Sequence, residues 1–219
     1  AQRLELERDR KIAIAEYAPG CQVIAGGYLW TSHALKVLRG RHWERFYYAV
    51  CSQCGRFHKD IGEVLGSPCK ACGVPLGKHR GGLVGRYVIP EFGFLSGREA
   101  PRTPGESRPR RTYASRVFFA DYEKPPPPFV SEGKKGSSVA LQTRYSRQGL
   151  LAVINGGRRG RGFLLCENCG AGEPAPTSGK GWKKGPHRSP WATECRGPLL
   201  HAHLGHEFQS DVLEIRLSH

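Results

Sequence analysis

The chain has 219 residues, enough for one large domain or two small ones, with 38% hydrophobic and 24% charged residues. Its 34 Lys and Arg outweigh 19 Asp and Glu, and the resulting net charge of +15 favours polyanionic partners, nucleic acid first and acidic membrane surfaces second. No secretory leader pattern and no apolar run near the roughly 18 residues of a membrane span is present; secreted and membrane-spanning classes are set aside, and a cytoplasmic protein is expected. Methionine is missing altogether, position 1 included, which predicts a processed chain or a piece cut from a larger protein.

Taken in chain order, Leu4 to Glu16 alternates charge with modest amphipathicity and predicts a helix ended by Pro19 and Gly20. Gln22 to Thr31 predicts a hairpin turning at Gly26-Gly27. Strands are expected over Trp43 to Val50, within Leu83 to Phe94, and over Thr112 to Tyr122. Lys124 to Ser138, with four consecutive prolines from Pro125 to Pro128 and a Gly/Lys/Ser run, predicts a linker or long exposed loop. Val139 to Tyr145 and Leu150 to Asn155 read as paired strands around Arg147-Gln148-Gly149. Gly156 to Gly162 is a basic glycine turn, Phe163 begins a strand, and Ser210 to Leu217 alternates as a terminal strand. The fold class is therefore α+β and β-rich: an irregular, loop-rich domain stapled by two zinc sites of ribbon or knuckle type. Its parts are 1–122, a linker over 123–138, and 139–219, together one composite domain of a larger protein.

Cys51-Ser52-Gln53-Cys54-Gly55 and Cys69-Lys70-Ala71-Cys72-Gly73 are two C-x-x-C-G units with fourteen residues between Cys54 and Cys69. Two residues between thiolates let both sulfurs turn to one ion, and the following glycine accepts the tight backbone of the knuckle. Four sulfurs satisfy a tetrahedral ion and leave no open position for a catalytic water. Disulfides and an iron–sulfur cluster are the competing uses of such a set. Cys166-Glu167-Asn168-Cys169-Gly170 repeats the unit, but Cys195 alone follows it. A fourth donor must come from elsewhere, and His187, with seventeen residues between it and Cys169 and seven between it and Cys195, is the leading candidate. His201, His203 and His206 compete with it. Cys21 reads as a small buried hydrophobe.

Arg158, Arg159 and Arg161 lie in a glycine turn, where backbone and guanidinium can approach a phosphate, or simply form a solvated hairpin tip. Trp182, flanked by Lys180, Lys183 and Lys184, suits stacking on a base of a single strand, or covering the metal loop. Arg98, Arg102, Arg108, Arg110, Arg111 and Arg116 form a looser basic stretch. His203, His206, Glu207 and Asp211 invite a nuclease reading, against which stands a structural one: His206 and Asp211 holding the terminal strand through buried hydrogen bonds. No G-x-x-x-x-G-K-[ST] is present, so the chain carries no ATPase motif of that kind.

The order EYAPGCQVIAGGYLWTSHAL, YAVCSQCGRFH, CKACG, VIPEFGF, GFLLCENCG, LGHEFQSDVLEIRL resembles the zinc-binding domain at the C-terminal end of MrfA-like superfamily 2 helicases, also found in the DrmB component of the DISARM anti-phage system. The resemblance covers nearly the whole chain and is most specific at PEFGF and LGHEF-x-x-D. It implies a noncatalytic partner of an ATP-driven motor acting on DNA, in repair or in defence against foreign DNA. It places Cys51, Cys54, Cys69, Cys72, Cys166, Cys169, His187 and Cys195 on ligand-like positions for two zinc ions. The expected partners are DNA and a helicase motor, with no small-molecule substrate. A docking module without DNA contact and a metal-dependent nuclease are the alternatives.

Overall fold

The structure, a computed structural model, describes residues 5–77, 83–97, 100–106, 108–109, 113, 115–132, 140–176 and 185–218. Among them one α-helix, α1 (Arg10–Glu16), precedes a succession of strands. The helix starts later than its charge pattern predicts because the Asp9 side chain accepts the Lys11 N–H and caps it there. β1 (Gln22–Ala25) and β2 (Tyr28–Thr31) form the expected hairpin across Gly26-Gly27. β3 (Ala34–Leu35) pairs with β7 (Phe94–Leu95).

Among the described residues the main sheet has nine strands. Its first half is built from β4 (Arg45–Val50), β5 (Phe57–Asp60) and β6 (Leu83–Val88), with β4 between the other two. Its second half contains β8 (Ser115–Tyr122), β9 (Val130–Glu132), β10 (Ala140–Asn155), β11 (Phe163–Cys166) and β12 (Gly172–Pro174). A short separate hairpin, β13 (His187–Arg188) and β14 (Glu194–Cys195), precedes the long β15 (Leu199–Ser218). β15 joins the two halves. Its first residues pair with β11, His203 and Leu204 pair in parallel with β6, and the rest runs antiparallel to β10.

Three features depart from the sequence reading. The two strands expected around Arg147-Gln148-Gly149 are one strand, β10, because both flanks find a longer partner in β15. The register shifts between Ser146 and Gly149, so a bulge absorbs the extra residue that looked like a turn. At Gly149 the chains approach so closely that a Cβ would lie 2.1 Å from a Val212 methyl. The terminal strand begins at Leu199 rather than Ser210. The segment read as a linker contributes β9, which pairs with β10, while 133–139 lie outside the described residues. Strands from both sides of that segment thus share one sheet.

Alternation along the central strands buries both faces. Tyr87, Ala152 and Ile154 enter one core with Tyr48, Val50 and Phe57. Val88 and Val153 enter the other with Phe163, Leu165, Leu204, Trp43 and Ile14 of the helix. The sheet curls until β5 faces β8, where Phe57 and Phe118 stack with centroids 6.2 Å apart. No described helix is long and apolar enough to cross a membrane.

Asn155 is the fully buried polar link between layers: its amide donates to the Ile14 carbonyl and its carbonyl accepts the Gly157 N–H. Removing the side chain leaves the buried Ile14 carbonyl and the half-buried Gly157 N–H without this partner. Asn155→Ala should therefore lower the free energy of urea unfolding of the metal-loaded chain by about 2–4 kcal/mol; a loss below about 0.5 kcal/mol, the range of ordinary surface substitutions, would show that the link is dispensable.

Candidate metal centres

Three knuckles share one backbone design. The N–H groups of Cys51, Cys69 and Cys166 donate to the carbonyls five residues on, at Arg56, Val74 and Ala171, and the glycine N–H returns to the first cysteine carbonyl in each. These glycines, Gly55, Gly73 and Gly170, have φ of 70°, 76° and 81°, a region that penalises any side chain. Gly170 is constrained twice, since a Cβ there would lie 2.1 Å from the Leu35 carbonyl oxygen.

The first site grows from the ends of strands. β4 delivers Cys51, and a second knuckle brings Cys69 and Cys72 against it, so that the sulfurs of Cys51, Cys54, Cys69 and Cys72 lie within 4.8 Å of one another. The Cys51–Cys72 and Cys54–Cys69 separations are both 3.6 Å. Disulfide sulfurs sit about 2.05 Å apart, whereas a tetrahedral ion with metal–sulfur bonds of about 2.3 Å sets its sulfurs about 3.8 Å apart. The donor set fits a metal ion. Cys51 and Cys69 are buried with Val64 and Leu76, while Cys54 and Cys72 are exposed.

Sequence reasoning missed His58. It is buried on β5, opposite Ala49 of β4, with Nε2 3.2 Å from the Cys69 sulfur. Burial, helped by the charges of Lys70 and Arg56, holds its pKa below the ordinary histidine value against the opposing pull of Asp121. A neutral ring with its proton on Nε2 donates to the thiolate, as outer partners of a metal site do. Only the β4–β5 register reveals it.

The second site combines a knuckle with a hairpin. β11 delivers Cys166, and β13 and β14 pair so that His187 and Cys195 stand directly opposite each other. Cys166, Cys169, His187 and Cys195 all lie within 4.8 Å. The Cys166 and Cys195 sulfurs are 3.8 Å apart and His187 Nε2 is 3.3 Å from the Cys169 sulfur. Ser189 holds the hairpin turn by accepting the Trp191 and Thr193 N–H groups. The competing histidines are engaged on β15: His201 with the Arg161 carbonyl, His203 with the Tyr48 hydroxyl at 2.6 Å, and His206 against the Phe208 ring. Burial first, then the His201 charge, lowers the His203 pKa, and burial raises that of Tyr48, so the hydroxyl donates to a neutral ring.

The remaining candidates divide. Arg158, Arg159 and Arg161 are exposed on the 156–162 loop, which leaves the sheet between β10 and β11. Arg102, Arg108 and Arg116 are also exposed. Trp182, Lys180, Lys183, Lys184, Arg98, Arg110 and Arg111 lie outside the described residues. Of the C-terminal polar cluster, Glu207 pairs with Lys59 at 2.6 Å and accepts the Tyr87 hydroxyl, whereas Asp211 is exposed rather than buried. The two cysteine-rich groups are the metal-ligating clusters found among the described residues, and the C-terminal residues form none. Cys21 is buried, its thiol donating to the Ala15 carbonyl.

Ligand count and protonation both lead to tests. The purified chain should carry two equivalents of metal, matching its two four-residue groups. His187→Ala should remove about one equivalent, since structural sites of this kind are closed by four protein donors, and His203→Ala should remove none; the reverse pattern would move the fourth donor to β15.

Without an ion, burial pushes the thiols of Cys54 and Cys169 up to about 12. Burial also acts to raise Cys51, but the amides of Cys54 and Gln53 and the adjoining thiols more than offset it, bringing Cys51 down to about 7. At neutral pH the ion-free clusters therefore keep protons that a metal must displace, and acid favours the ion-free form. Metal affinity should fall by at least about tenfold per pH unit below neutrality, measured by competition with a chromophoric chelator; a flat profile would mean that the thiols are already ionised.

Compared with protein-family models, curated proteins and solved structures, the chain matches none of them.

Proposed function

We propose that the chain is a noncatalytic, zinc-binding accessory module of an ATP-driven DNA helicase or translocase, contacting DNA while packing on the motor, in DNA repair or anti-phage defence. The observation that carries the DNA contact is the arginine loop. Arg158, Arg159 and Arg161 project into solvent from the seven residues of 156–162, on a chain of net charge +15. Glycines on either side let the backbone itself approach a phosphate. Zinc is favoured over an iron–sulfur cluster because one donor set includes a histidine with three cysteines, a common structural zinc combination. Four protein donors at each ion leave it no vacant position, which supports a structural role. The association with a motor rests on the resemblance in the PEFGF and LGHEF-x-x-D segments.

A second reading, a docking module without DNA contact, draws on a different surface. Tyr145, Leu213, Ile215 and Leu217 form an exposed apolar row along the paired ends of β10 and β15. Such a row suits burial against another protein.

Titrating labelled duplexes of unrelated sequence at several salt concentrations separates the two. The intact chain should bind them alike, with affinity falling steeply as salt rises. Replacing Arg158, Arg159 and Arg161 together by alanine should flatten the slope of log affinity against log salt by about two to three, with metal content unchanged. Absence of salt-sensitive binding by the intact chain would favour the docking module, and an unflattened slope would move the phosphate contact off this loop.

A further inference from the structure

The parallel ladder between β6 and β15 has two residue pairs, Tyr87 with His203 and Val88 with Leu204. Toward the starts of both strands the chains part, and a cleft of about 440 Å³ opens between Val84–Arg86 and His201–His203. That volume lies in the roughly 300–1,000 Å³ range of small-ligand sites. Three further segments close its sides: the 63–65 loop, carried between the two knuckles of the first metal centre, Gly160-Arg161 of the arginine loop, and Ala175-Pro176. The first metal centre thus braces one wall of the cleft.

The lining has a definite chemistry. Tyr47 and Arg86 are register partners on β4 and β6, with the guanidinium 5.8 Å from the ring centroid. Both are solvent-exposed, as are Val84 and Leu65 beside them. Arg161 and His201 stand on the opposite wall, where the histidine ring meets the Arg161 carbonyl. The floor is the Tyr48–His203 pair, and Gly85 leaves it open: a Cβ there would lie 3.2 Å from both rings. Among the described lining residues Glu63 is the one carboxylate, against two guanidinium groups.

An aromatic face with an arginine beside it, facing a second arginine across a partly apolar cleft, matches a nucleotide: stacking for the base, forked donors for the phosphates. A duplex keeps its bases stacked and would have to extrude one to fill this space, whereas a single strand offers unstacked bases at no such cost. An acidic peptide would satisfy the arginines but make no use of the Tyr47 ring, over which the Arg86 guanidinium lies. We infer that the cleft between β6 and β15 is a subsite for one nucleotide of a single-stranded nucleic acid, its base on Tyr47 and its phosphates between Arg86 and Arg161. The inference rests on the DNA-contact reading and deepens it, from a nonspecific basic loop to a strand-selective cleft.

The test uses the metal-loaded chain, labelled oligo-dT, a duplex of matched charge, and polyglutamate as competitor. The intact chain should prefer oligo-dT to the duplex. Tyr47→Ala should weaken oligo-dT binding about tenfold and duplex binding less than about twofold, with Tyr47→Phe restoring it, and Arg86→Gln should lower the salt slope by about one. Oligo-dT carrying 5-iodouracil should crosslink, on illumination, to Tyr47 of the unaltered chain, which makes the test independent of how the variants fold. Crosslinks confined to other residues, or unchanged oligo-dT binding by Tyr47→Ala and Arg86→Gln, would overturn the cleft while leaving the arginine loop as a DNA contact. Polyglutamate competing as well as oligo-dT at equal charge would reduce the cleft to a simple anion surface. Failure of the intact chain to bind any nucleic acid would end both readings together.

Discussion

The pairing of β15 with three different neighbours is the constraint on which the rest of the molecule depends. Its first four residues hold β11 and hence Cys166, its middle two hold β6, and its remainder holds β10. Through β6 it positions β4, whose end carries Cys51. A ladder of this length lets strands separated by more than a hundred residues share one twist and one register. Without it each knuckle would still have its local shape, but the two cysteine-rich groups and the cleft would have no common frame.

Metal centres of this kind relieve a shortage. The sheet is well filled at its centre, where Tyr87, Phe163 and Leu204 are almost wholly buried, but the knuckles project from its edge with little apolar material of their own. Around the first site the core amounts to Ala49, Val64 and Leu76 with two of the ligating cysteines, and Val74 packed alongside. A bound ion substitutes for missing core, at the cost of making local folding conditional on metal supply and on proton concentration. His58, donating to the Cys69 sulfur from a neighbouring strand, couples that conditional element back to the permanent one.

The same architecture bears on the proposed role. A module meant to grip a polyanion while seated on a larger partner needs exposed cations on a backbone that does not yield. Here the arginine loop leaves the sheet at Asn155 and rejoins it at Phe163, both fully buried, so a flexible-looking glycine segment has rigid ends. The exposed apolar row at the far end of the β10–β15 ribbon lies on the part of the sheet where β10 is paired with β15 and β9. The arginine loop follows the Asn155 end of β10, whereas the apolar row lies at its opposite end.

Features governed by local chain geometry were legible from sequence. The C-x-x-C-G spacing foretells the knuckle because the two turning residues and the glycine are consecutive, and the Gly26-Gly27 hairpin is equally local. The helix was legible except for its start, where a side-chain cap outweighed the charge pattern. Arrangements set by pairing between distant segments were decided only in the tertiary structure. Arg147-Gln148-Gly149 is a turn by composition and a bulge in fact, since β15 offered a longer partner than either flank offered the other. His187 joins the three cysteines because a hairpin of two-residue strands places it opposite Cys195, a register that spacing alone leaves open among four histidines. His58 at the first centre and Tyr47 beside Arg86 in the cleft had no sequence signal, because each depends on which residue of a neighbouring strand it faces. Cross-strand register comes from the sum of burial and backbone pairing along both strands, and no single segment contains that sum.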